Sequence, residues 1–116
     1  LVSRRLIYVD CGHGFVFLRR ADGRVEELLP RGLPLGVLSD EVYQEGCFVF
    51  MEGDTLVVYS DGLIDALPEQ SLDNEALAEG LNGTKSAEEM VERLTGWVSP
   101  EVSMPDDLTV MVVHCQ

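Results

Sequence analysis

Two acidic positions could do chemistry because of where they fall relative to apolar runs. Asp61 follows Leu56-Val57-Val58-Tyr59-Ser60 and precedes a glycine and a helical pattern, while Asp106 and Asp107 stand directly before Leu108-Thr109-Val110-Met111-Val112-Val113. A carboxylate at the tip of a buried strand is held by rigid backbone, and Gly62 lets another group approach closely. If the two strands are neighbours, Asp61 and Asp106 face one cavity. Two ionised carboxylates do not sit close together without a proton or a cation between them. Oxygen-only ligands suit Mg²⁺ or Mn²⁺ better than zinc. Spacing alone leaves a plainer alternative open, since Asp-Gly after a strand also makes a turn and Asp-Asp before one also makes a solvated loop.

The other candidates are weaker. Gly12-His13-Gly14 could cradle a phosphate, yet a glycine pair between two strands also forms a tight turn. His13 is a candidate acid or ligand with no visible partner, and His114 reads as a surface or edge residue. Ser39 and Ser60 lack any His/Asp arrangement, so a nucleophilic triad is not expected. GxxxxGK[ST], GxSxG and HExxH are absent from the sequence. Asp40, Glu41, Glu69 and Glu88 read as solvated surface.

Strands and helices must position these groups. β-branched and aromatic runs predict strands over 6–9 and 15–18, parted by Cys11-Gly12-His13-Gly14. Asp22-Gly23 is a hairpin signal, with 25–29 as the returning strand. The stretch 31–36 is punctuated by Gly and Pro and cannot be regular. A further strand is expected over 46–51. The run 55–59 is apolar without alternation, which predicts burial on both faces. Helical patterns follow over 63–67 and from a cap at Ser71 or Asp73 to Asn82-Gly83. Ser86 and Glu89 form a capping box ahead of Ala87, Met90, Val91, Leu94 and Trp97, which share one helical face. The last strand, 108–113, is expected to be buried and central. Strands, then helices, then one returning strand make an α+β, layered architecture.

The 116 residues include 8 basic and 21 acidic side chains, for a formal charge of −13. That length suits a single domain over 1–116, and 46% hydrophobic residues give it a globular composition. The negative balance argues against nucleic acid and anionic membrane surfaces as partners. No apolar run reaches the ~18–20 residues that span a bilayer, so no membrane insertion is expected. Cys11, Cys47 and Cys115 are odd in number and widely spaced, which predicts unpaired, small apolar core residues in a reducing cytoplasm. The chain begins at Leu1 rather than Met, as a piece of something longer would.

In order along the chain stand Tyr8-Val9-Asp10-Cys11-Gly12-His13-Gly14, Phe17-Leu18-Arg19-Arg20 with Asp22-Gly23, and Gly32-Leu33-Pro34-Leu35-Gly36. They are followed by Gly53-Asp54-Thr55-Leu56-Val57-Val58-Tyr59-Ser60-Asp61-Gly62-Leu63 and Asp106-Asp107-Leu108-Thr109-Val110. Together these resemble the C-terminal part of a PPM-type metal-dependent protein serine/threonine phosphatase. The bacterial branch of sporulation stage II protein E and the stress sigma-factor regulators is the most similar. The resemblance implies a four-layer αββα sandwich, its N-terminal portion missing, with a two-metal Mg²⁺ or Mn²⁺ centre at one end of the sheets. It implies that Asp61 and Asp106 ligate metal, with Asp107 the secondary candidate, and that Gly12 and His13 are structural.

No catalytic side chain is implied, because metal-activated water attacks the phosphoserine. The implied partner is a phosphorylated regulatory protein such as an anti-anti-sigma factor, with further domains in the parent protein. The family's upstream metal-binding aspartate, in a GGD-like motif, has no counterpart here. This fragment alone is therefore expected to be inactive, and the alternative reading is a pseudophosphatase that binds partners without turnover.

Overall fold

A computed structural model describes residues 4–67, 73–98 and 107–116. The apolar runs form six strands among these residues: β1 Arg5–Val9, β2 Val16–Arg19, β3 Val25–Glu26, β4 Glu45–Val49, β5 Thr55–Tyr59 and β6 Val110–His114. They build two sheets. β1 pairs antiparallel with β4, and the second sheet runs β3-β2-β5-β6, antiparallel throughout. The helices are α1 Asp61–Asp65, α2 Asn74–Gly80 and α3 Ala87–Gly96.

Two cores hold three layers together. Phe17, Val57 and Tyr59 on the four-stranded sheet meet Leu63, Leu77, Leu81, Met90 and Leu94 from the helices. On the other face of that sheet, Leu18 and Leu56 meet Leu28, Phe50, Leu6, Tyr8 and Phe48. The order is therefore helices, four-stranded sheet, two-stranded sheet, which gives three layers of the expected αββα sandwich. A fourth layer is not among the described residues.

Local signals place the helices. Ser86 Oγ accepts from the Glu89 N–H at 3.1 Å, and Glu89 reaches back to the Lys85 N–H at 2.9 Å. Asp73 caps α2 by accepting from the Ala76 N–H at 2.9 Å, while Ser71 lies outside the described residues. Met90 and Leu94 are 1% and 0% exposed, so the anticipated face of α3 is the one that docks.

Several boundaries and burials differ from expectation. β3 ends at Glu26 rather than residue 29, because the chain then turns Leu28 down between the sheets. β6 starts at Val110 and is an edge strand of the described sheet, not a central buried one. Val110 and Val112 pack toward the helices, whereas Met111 and Val113 are 51% and 42% exposed. Among the described residues the two-stranded sheet packs over β2 and β5, and Met111 and Val113 of β6 stay partly exposed. Cys47 is exposed and Cys11 and Cys115 are half-buried, so the three free thiols are not the core residues anticipated.

A buried ionic cluster ties the two sheets at the start of β5. Asp54 is 1% exposed. Its carboxylate accepts from the backbone N–H groups of Ala21 (3.0 Å) and Met51 (2.9 Å) and from Arg20 Nη1 (2.7 Å). Arg20 Nη1 also donates to the Val49 carbonyl of β4, and the guanidinium makes a two-pronged contact with Glu26 at 3.0 Å on each prong. These contacts with Glu26 raise the guanidinium's pKa and hold the Glu26 carboxyl below its ordinary range.

Candidate metal site

The site is built at the opposite end of β5. β5 and β6 are antiparallel neighbours, with Tyr59 opposite Val110, so the end of one and the start of the other share one edge of the sheet. Ser60 fastens the two. Its N–H donates to the Thr109 carbonyl at 2.9 Å, its Oγ accepts from the Thr109 N–H at 2.9 Å, and its hydroxyl donates to the Asp107 carbonyl at 3.2 Å.

Asp61 comes next, exposed at the first position of α1, while Gly62 and Leu63 behind it are buried. Gly62 is required by close approach, since a Cβ there would collide with the Asp107 backbone carbonyl. Leu63, fully buried, plugs the helix into the core. Packing therefore forces the carboxylate of Asp61 to the rim, beside the segment that begins at Asp107.

Asp107 is exposed, and its backbone carbonyl is the surface on which Ser60 and Gly62 rest. Asp106 lies outside the described residues. Asp65 sits at the far end of α1, exposed. Among the described residues no three His, Cys, Asp or Glu side chains converge as a metal-binding group. What they show is an exposed carboxylate, Asp61, at the first position of α1 and a glycine packed against the Asp107 backbone carbonyl.

Two residues set aside in the sequence have definite work. Ser60, which has no triad, is the fastening just described. His13, which showed no partner, places Nε2 2.9 Å from the Tyr59 carbonyl, a contact 46 residues distant that no local pattern encodes. Asp10 belongs to the same turn: its Oδ1 accepts from the Gly12 N–H at 2.7 Å and the Gly32 N–H at 3.4 Å. Tyr59 is buried, donates to Asn74 Oδ1 at 2.6 Å, and has its phenol pKa pushed up by that burial. His114 lies on the edge strand, with Nδ1 2.9 Å from Thr55 Oγ1. No described helix is long and apolar enough to cross a membrane.

The fold is that of PP2C phosphatase domains. The chain is 22% identical to the PP2C phosphatase domain, with a fragment of the regulatory domain, of the cell fate determinant SpoIIE from Bacillus subtilis. That likeness has a TM-score of 0.74 over 93% of this chain and 33% of the other. RsbX in complex with magnesium gives 0.67 at 22% identity, covering 95% of this chain and 49% of that one. The S. agalactiae serine/threonine phosphatase gives 0.66 at 22% identity, covering 100% and 56%. The chain thus spans between a third and just over half of these structures. No curated protein sequence matches it. The family model for stage II sporulation protein E matches residues 1–116, and the chain belongs to that family.

Proposed function

We propose that this chain is part of one metal-dependent protein serine/threonine phosphatase domain that removes phosphate from phosphoserine on a regulatory protein, such as an anti-anti-sigma factor, in the cytoplasm. The observation that carries the reading is the Ser60 fastening, which brings the Asp61 corner against the segment starting at Asp107. Asp61 and Asp106 are the ligands this chain would contribute, with Asp107 adjacent and the remaining ligands supplied by sequence upstream of it. Mg²⁺ or Mn²⁺ bound there would offset the phosphate's charge and lower the pKa of water, which removes the need for a side-chain nucleophile.

The chain's own residues have three tasks in this reading. Asp61 holds negative charge at a fixed corner, Ser60 and Gly62 keep that corner against its neighbour, and Leu63 anchors it to the core. A carboxylate aimed by a strand end and a buried anchor keeps its geometry without reorganising on each turnover. The acidic surface repels a bare phosphate unless cations intervene, so the reading makes activity wholly metal-dependent.

Hydrolysis of a phosphoserine peptide by the full-length protein, with and without Mn²⁺, tests it. Activity should need the ion, and Asp61→Asn should keep the fold while losing most of the rate. Asp65→Asn, at the far end of the same helix, should be close to wild type. A full-length protein that binds a phosphoprotein yet shows no turnover with Mn²⁺ or Mg²⁺ favours the partner-binding reading instead. Undiminished activity in excess chelator refutes the metal mechanism.

A further inference from the structure

The peptide unit joining Tyr59 to Ser60 is gripped from both sides. Its N–H donates to the Thr109 carbonyl at 2.9 Å, and its carbonyl faces His13 Nε2 at 2.9 Å. A carbonyl can only accept, so Nε2 carries the proton and donates. The next residue along is Asp61. Fixing both ends of that peptide plane fixes the direction in which the chain leaves β5, and with it the start of the Asp61 side chain.

The grip on the histidine side is itself rigid. Gly12 has φ +90° and lies so close to Pro34 that a Cβ would meet the proline nitrogen at 2.6 Å, which restricts this turn to glycine. Asp10 holds the Gly12 and Gly32 amides. The imidazole stands edge-on to Phe15, with ring centres 5.8 Å apart and planes at 84°, and Phe15 packs in turn on Tyr59 at 5.6 Å. The backbone turn that carries the imidazole is thus held by Asp10 and Pro34, and the ring itself is oriented by Phe15.

We propose that His13 is a positioning residue for Asp61, acting through the Tyr59–Ser60 peptide, and so sets the affinity of the site for its divalent cation. The proposal rests on the reading of Asp61 as a metal ligand. It assigns to a residue outside the acidic motifs a role that touches neither metal nor substrate.

The test is Mn²⁺ binding to the full-length protein, read from the paramagnetic signal of the free ion. His13→Phe keeps a ring against Phe15 and removes the donor. It should weaken Mn²⁺ binding about tenfold, in the range seen when a group that orients a metal ligand is lost. The metal-free melting temperature should fall by no more than about 5 °C, as the loss of a single hydrogen bond implies. His13→Gln, whose side-chain amide can reach the same carbonyl, should recover most of the affinity.

Asp61→Asn measured alongside separates the two claims. If that variant binds Mn²⁺ as tightly as wild type, Asp61 is not a ligand and the role of His13 falls with it. If Asp61→Asn loses the ion while His13→Phe keeps wild-type affinity, the ligand reading stands and the positioning role alone is overturned. Failure of His13→Gln to recover the affinity lost in His13→Phe overturns it as well.

Discussion

Asp54→Ala should be strongly destabilising while leaving the acidic corner itself untouched. The side chain is 2% exposed and satisfies two backbone N–H groups, Ala21 and Met51, besides Arg20. Truncation leaves both amides without their acceptor, at ~1–3 kcal/mol each when buried. Arg20 keeps Glu26 and the Val49 carbonyl, so it is not stranded. The expected loss is about 2–6 kcal/mol, from the two orphaned amides together. Against a total of roughly 5–15 kcal/mol, that is a large share of the stability of the fold. Urea unfolding followed by Trp97 fluorescence measures it, because this is the sole tryptophan and its ring packs against Gly80 at the edge of the helical core. Asp54→Asn, which keeps one oxygen but turns an amide toward donors, should fall between wild type and alanine. A denaturation midpoint for Asp54→Ala indistinguishable from wild type refutes the idea that this carboxylate ties the sheets.

Leu94→Ala, at a fully buried position of α3, should cost roughly 2–5 kcal/mol in the same urea assay. Glu26 is ionised more readily when folded than when unfolded, so its contribution is complete above the ordinary glutamate value of about 4.3 and is lost as pH falls through its lower folded value. In Glu26→Gln, stability should therefore fall less steeply with acid below about pH 5, as a pH series of melting curves would show. Gly62→Ala forces a methyl against the Asp107 carbonyl and should cost about 1–3 kcal/mol. It should also weaken Mn²⁺ binding; unchanged affinity in a folded Gly62→Ala protein would separate that contact from the site.

Local chemistry was readable from the sequence wherever it is completed within a few residues. The Ser86/Glu89 cap and the Asp22-Gly23 hairpin depend on neighbours three or four positions away, and the unbroken apolar run of β5 marks its burial by composition alone; each stands as expected. The fold class followed from motif order, and the corner at Asp61 from its place after a strand. What escaped notice is non-local. Arg20 meets Asp54 across 34 residues and His13 meets Tyr59 across 46, and neither pairing leaves a periodic trace. The burial of β6 was misjudged for a related reason. An apolar run does not reveal how wide the neighbouring sheet is, and among the described residues that layer has two strands and leaves Met111 and Val113 partly exposed.

The Ser60 fastening joins residues 49 positions apart, which has a consequence for how the protein is made. At synthesis rates of about 5–20 residues per second, the Asp61 corner leaves the ribosome ~2–10 s before its partner segment exists. During that interval β5 has no β6, and its apolar edge is open to wrong pairing. Closure of a loop this long also slows folding, because its entropy is lost before the strand contacts compensate. The corner is thus synthesised early and fastened late, only after the residues that separate Ser60 from Thr109 have followed it.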